Sequence, residues 1–153
     1  MRGVYTSGIK ISGLSAAKTL IYITAPSGKA IEILGAKIGN APTNGTNQQL
    51  EALLQRVSSL GSPTGTAITP TPHEKGDQAA GATVVGNVTA NEPAYATGAI
   101  WDQQGFASLA GYQHCPLPEE RVIVQPGDTV GLRMISTPVA FDCVVTLTHR
   151  EIG

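Results

Sequence analysis

The sequence predicts an all-β fold, an antiparallel β-sandwich or jelly roll with short helical turns, arranged as a single domain over residues 1–153. Three observations carry that prediction. Apolar and polar residues alternate in run after run, which is the period of a half-buried strand. Gly (18) and Pro (10) punctuate the runs at short intervals. No heptad or long amphipathic stripe competes with the alternation. Eight or so such strands, stacked as two sheets, bury the alternating apolar side chains between them. A chain of this length builds a sufficient core without disulfides or metal.

The N-terminal third supplies VYTSGIKIS (4–12), TLIYITA (19–25) and AIEILGAKIG (30–39), all rich in β-branched and aromatic residues. Pro26-Ser27-Gly28 between the last two reads as a compact hairpin turn. In the third run the apolar phase slips from Ile31 and Ile33 to Leu34, Ala36 and Ile38. A one-residue slip beside Gly35 predicts a β-bulge.

The middle is mixed. In QLEALLQRV (49–57), Leu50, Leu53, Leu54 and Val57 match a helical stripe, so a helical turn at 46–50 passing into a strand is expected. Residues 58–71 are dense in Ser, Thr, Gly and Pro, and Pro70 and Pro72 exclude a central strand there. An extended loop or edge strand follows, making 58–83 a loop or arm able to reach beyond the sandwich. DQAAGATV (77–84) predicts one short helix capped by Asp77. Strand segments at 84–90, near 97–101 and at 105–113 complete this part.

The C-terminal part reads as three consecutive antiparallel strands: 120–125, 129–135 and 139–149. Pro126-Gly127-Asp128 joins the first two with turn chemistry. In the last run every odd residue from Val139 to Leu147 is apolar, which places Cys143 in the core as a buried, reduced thiol rather than in a disulfide with Cys115.

Composition excludes several functions. Charged residues are 14% of the chain and net charge is −1, so no basic surface exists for nucleic acid. No apolar run approaches the roughly 18 residues of a membrane span, and no signal-peptide pattern opens the chain. Soluble chains ordinarily carry about 25% charge. So sparse a charge points to a surface meant for contact.

Motifs for chemistry fail. Pro26-Ser27-Gly28-Lys29 lacks the leading glycine, the following Ser/Thr and the helix of a phosphate-binding loop. His73, His114 and His149 belong to no metal-ligand spacing. His114 beside Cys115 suggests a base and nucleophile, but neighbours on a strand point to opposite faces. Glu119-Glu120 reads as solvated loop charge, and nothing promotes Asp102, Asp128 or Asp142 as paired catalytic carboxylates. No catalytic residue, cofactor site or metal site is predicted, and the chain is expected not to be an enzyme. Asn44-Gly45-Thr46 and Asn87-Val88-Thr89 match the glycosylation pattern by chance. Tyr95, Trp101, Phe106 and Tyr112 hold four of the seven aromatics. They suit either a core or subunit-contact cluster, the favoured reading, or the stacking platforms of a carbohydrate-binding sandwich.

The blocks TAPSGKAIEILGAKIG, QQLEALLQRVSSLGSPTGTAITPTPHEKGDQAAGATV, NVTANEPAY and ERVIVQPGDTVGLRM, with a final strand closing in His149-Arg150-Glu151, cover most of the chain. In this layout it resembles small jelly-roll structural proteins of tailed bacteriophages and, more broadly, the trimeric capsid-cementing (decoration) proteins of phage heads. The resemblance implies a homotrimer that binds the phage major capsid protein on the outer surface of the virion head, after assembly in the host bacterial cytoplasm. A tail, baseplate or spike position is the alternative. Pro126, Gly127, Asp128, Gly131 and Leu132 match the turn-plus-strand block in a structural role, and Gln49–Val57 matches without assigned chemistry. The candidate partner-contact residues are Thr64, Thr66, Ile68, Pro70 and Pro72 on the arm, with Trp101, Phe106 and Tyr112.

Overall fold

The computed structural model describes residues 3–41 and 46–153. The strands are β1 (Val4–Leu14), β2 (Lys18–Thr24), β3 (Ala30–Asn40), β4 (Gln49–Ser59), β5 (Thr64–Ile68), β6 (Thr71–Pro72), β7 (Thr83–Ala90) and β8 (Ala94–Ala107). They continue with β9 (Tyr112–His114), β10 (Ile123–Val124), β11 (Thr129–Met134) and β12 (Phe141–Ile152). Among the described residues, one 3₁₀ turn at Pro118–Glu120 is the only helical element, and no helix is long and apolar enough to cross a membrane.

Two antiparallel sheets pack face to face. Sheet A runs β10–β3–β12–β1–β6, with β9 pairing the other half of β3. Sheet B runs β5–β7–β2–β11–β4–β8. Strands β1 to β4 alternate between the sheets, and β8 to β12 do so again, except that β9 and β10 share one edge of sheet A. That winding is a jelly roll: β1–β12–β3–β9/β10 faces β2–β11–β4–β8. The segment between β4 and β8 adds β5 and β7 beyond β2, and β6 beyond β1.

The core is the inward face of both sheets. Ile21, Ile23, Leu54 and Leu132 of sheet B and Ile31, Ile33, Phe141 and Val145 of sheet A are fully buried. Side chains of this kind each stabilise the fold by about 1.5–3 kcal/mol when withdrawn from water. Cys143 is in this layer, and both it and Cys115 are free thiols. The bulge beside Gly35 is present: Thr148 opposes Gly35 and His149 opposes Ile33, leaving Leu34 as the extra residue. Beyond it the buried phase is carried by Ala36 and Ile38.

Several local expectations are corrected by the sheet topology. The turn at Pro26 is a β-turn, with Lys29 N–H donating to Pro26 O at 3.3 Å, but it carries the chain from sheet B to sheet A and makes no hairpin. The three C-terminal strands likewise are not neighbours. β10 and β12 both flank β3, while β11 lies between β2 and β4 in the opposite sheet. Among the described residues no helical turn precedes β4, and residues 46–48 are irregular. Its Leu50, Ala52 and Leu54 enter the core while Leu53, Gln55 and Val57 are buried on the other face, so two-sided burial produces the spacing that imitates a helix. The expected segments at 97–101 and 105–113 are the long β8 followed by β9. The strand expected over 120–125 is shortened to β10 by the 3₁₀ turn.

Residues 77–82 form no helix either. The Asp77 carboxylate accepts from Gly3 N–H at 3.0 Å instead of capping, and Gly81 and Ala82 donate to the Glu151 carboxylate, at 2.5 and 2.9 Å. The arm is laid on the body: β5 pairs with β7 and β6 pairs with β1. Sheet edges present unpaired backbone groups, and these strands satisfy them. Asn44 and Gly45 of the first glycosylation match lie outside the described residues, while the Asn87 side chain accepts from Lys18 Nζ at 2.6 Å.

Candidate functional site

The edge strand β8 departs from regular pairing at Trp101. Asp102 opposes Leu54 and Ile100 opposes Gln55, so Trp101 is an extra, bulged residue. A regular strand sends adjacent side chains to opposite faces, and a bulge re-aims one of them. Trp101 and Asp102 consequently line the same open cleft, of about 470 Å³, against β9 and the segment that follows it. Trp101 is 36% exposed.

The floor of the cleft is a short polar chain. Tyr112 and His114 lie two apart on β9 and so share a face. Tyr112 donates its hydroxyl to Asp102 Oδ2 at 2.5 Å, and His114 Nδ1 lies 3.4 Å from the same oxygen. Burial, reinforced by the Asp102 hydrogen bond and charge, pushes the Tyr112 phenol far above its ordinary ionisation, so it stays a donor. His114 Nε2 is buried and has no hydrogen-bond partner.

His114 and Cys115 both line the cleft, contrary to the strand-alternation argument, because β9 ends at His114 and Cys115 leaves strand geometry. Even so they do not form a nucleophile–base pair. The Cys115 thiol accepts from Gln113 Nε2 at 2.9 Å, while His114 Nε2 stays unpartnered. A base must reach the proton it removes within about 3 Å. The imidazole contacts Asp102 through Nδ1 and, among the described residues, makes no hydrogen bond through Nε2. Among the described residues no group of three His, Cys, Asp or Glu side chains is placed to hold a metal ion.

No protein-family model, curated protein or solved structure matches this chain. Function therefore rests on the site itself.

The residues expected to make contacts are spread over three places. Thr64 and Thr66 are exposed on β5, at one edge of sheet B, where Ile68 turns partly inward against the core. Pro70 is half-buried, and Pro72 pairs with Tyr5 on sheet A. Trp101 stands on β8, at the opposite edge of sheet B from β5. Phe106 and Tyr112 are 5% and 2% exposed, with ring centroids 6.1 Å apart, so these two side chains already belong to this chain's own core. Tyr95 is also covered: the Arg133 guanidinium sits 4.4 Å from its ring centroid, and Thr19 binds its hydroxyl. Of the four clustered aromatics, Trp101 alone presents itself to solvent. Gln104 and Gln113, which carry no sequence expectation, rim the cleft beside it together with Glu120, expected only as solvated loop charge. The signal for Gln104 is the amide-rich stretch Trp101-Asp102-Gln103-Gln104, which matches no motif.

Proposed function

We propose that the chain is a non-enzymatic structural subunit of a tailed-phage virion, a decoration or cement protein that trimerises and docks on the major capsid protein lattice of the head. The observation that carries this reading is the state of the sheet edges. Sheet A is guarded: β6 is two residues ending in Pro72, and β9 and β10 are short strands separated by the 3₁₀ turn. Sheet B is not. Its edge β8, though bulged at Trp101, is 14 residues long, contains no proline or lysine, carries Asp102 as its one charge, and exposes Ile100. Its other edge, β5, lies within residues 58–72, which contain no Asp, Glu, Lys or Arg.

Monomers normally blunt long edges with charge or proline. Two different open edges on one sheet favour head-to-tail contacts between copies, and such contacts close into a ring when the rotation permits. Weak surface charge lowers the desolvation cost of docking, and many copies on a shell add multivalent reinforcement. Nothing in the surface charge favours a nucleic-acid or membrane partner.

Sedimentation of the purified chain tests the assembly. The expected species is a trimer of the 15.8 kDa chain, shifted to monomer by Ile100→Lys with Thr66→Lys, and able to bind purified phage heads at micromolar concentration. A strict monomer that leaves heads bare overturns the proposal, and labelling of tails in virion micrographs moves the protein from head to tail.

A further inference from the structure

We propose that the Trp101 cleft is a binding site for a neutral saccharide, in which the indole stacks on the apolar face of a hexopyranose ring. The proposal goes beyond the assembly role and stands without it. Three features of the cleft select this chemistry.

The first is the platform. Trp101 is the chain's only tryptophan, it is raised on a bulge, and among the described residues neither a ring nor a cation covers it, unlike Tyr95 under Arg133. A flat ring with one apolar face and a hydroxylated rim matches a single aromatic surface beside polar groups.

The second is the hydrogen-bonding rim. Gln104 offers both donor and acceptor and Glu120 offers acceptors, and both side chains are exposed at the cleft with no hydrogen bond to another side chain among the described residues. His114 also lines the cleft, with Nδ1 3.4 Å from Asp102 Oδ2, while its Nε2 is buried away from solvent. Which nitrogen carries the proton depends on the partner of Nδ1, here Asp102. A hydroxyl both donates and accepts, so it satisfies the amide and the carboxylate alike. Asp102 contributes by fixing the imidazole, since its Oδ2 is already committed to Tyr112.

The third is charge. The cleft is lined by two carboxylates, Asp102 and Glu120, and by no lysine or arginine. Phosphates and carboxylates are repelled. A cationic ligand is less well served than a sugar, because aromatic capture of ammonium groups works best with several ring faces around the charge, and one face is present.

The tryptophan is its own reporter. Titration of the full-length protein with the methyl glycosides of glucose, galactose, mannose and N-acetylglucosamine is expected to shift Trp101 emission to the blue, saturably, for at least one of them. The expected dissociation constant is millimolar, on the order of 1 mM, as for a single shallow subsite. Gln104→Ala is expected to weaken binding about tenfold, the loss of one hydrogen-bonding group. Calorimetry is expected to find no binding for Trp101→Ala and partial recovery for Trp101→Phe, with unfolding midpoints unchanged for all three variants. The proposal is overturned if no glycoside gives a saturable shift up to about 100 mM, a range that captures even very weak complexes. It is equally overturned if Trp101→Ala binds as well as wild type, or if tetramethylammonium binds more tightly than every glycoside.

Discussion

His149 on β12 and Tyr5 on β1 are direct cross-strand partners, and their rings stack with centroids 5.4 Å apart and planes 25° from parallel. The imidazole is completely buried, and neither ring nitrogen has a hydrogen-bond partner. Burial drives its pKa down from 6.5 to about 4, with the Glu151 charge opposing the shift.

That stack predicts acid sensitivity. Between pH 6.5 and about 4 the unfolded chain binds a proton at His149 that the folded chain refuses. Stability is therefore lost as pH falls through this window, by about 3 kcal/mol in total, and this contribution levels off below it. His149→Phe retains a ring over Tyr5 and removes the titrating group. Denaturant unfolding at a series of pH values is expected to give a flatter profile for the variant, and an unchanged slope would refute the assignment.

Two glycines with the same left-handed backbone separate strain from collision. Gly111 and Gly127 both have φ of +80°, but a Cβ at Gly111 would stand 2.5 Å from Ile38 O while one at Gly127 meets nothing within 4 Å. Gly127→Ala is expected to cost about 1–2 kcal/mol, the penalty of the left-handed region alone. Gly111→Ala adds backbone displacement between the β8–β9 connection and β3, and is expected to cost more than about 3 kcal/mol. Thermal unfolding of the two variants checks the order.

Glu151 holds the crossing segment in place. Its side chain is 4% exposed, with Oε1 accepting from Gly81 and Ala82 and Oε2 facing Lys29 Nζ at 3.5 Å. Glu151→Ala is expected to destabilise by about 2 kcal/mol, the scale of hydrogen bonds to a charged acceptor. The effect should be local, with faster amide exchange at Gly81 and Ala82. Equal protection in variant and wild type would show that the carboxylate does not anchor this segment.

The two thiols should differ in access. Cys115 is exposed and Cys143 is fully buried at 0% exposure, where burial raises its pKa to about 12. A thiol reagent is expected to modify one cysteine in the native protein and two in denaturant. Cys115→Ser should leave the native protein unreactive.

Much of the strand content was legible because burial imposes a period of two wherever one face of a strand meets a core. That logic located β11 and β12, the bulge beside Gly35 and the burial of Cys143, while β1, β2 and β3 were legible from their β-branched and aromatic content. It failed at β4, where both faces are covered and Leu53 and Leu54 are buried together. It failed again at Asp77, whose carboxylate is claimed by Gly3, 74 residues away in the chain. A capping signal is local, and a distant donor outcompetes it without leaving a trace in the neighbouring residues.

Along strands with one covered face, such as β12 from Phe141 to Leu147, the sequence alone determined which residues face inward, since hydrophobic burial acts on each side chain according to its position in the pleat. Which strands sit side by side was decided by the tertiary structure. Backbone ladders are chemically the same for every strand, so Pro26-Ser27-Gly28 makes a β-turn whether it joins neighbours or, as here, crosses between sheets. The cleft belongs to that second level. Trp101 and Asp102 reach it through a bulge on sheet B, and His114 through an edge strand of sheet A, with Tyr112 of that strand bonded to Asp102 from the core side. Only closure of the sandwich brings those four side chains to one place.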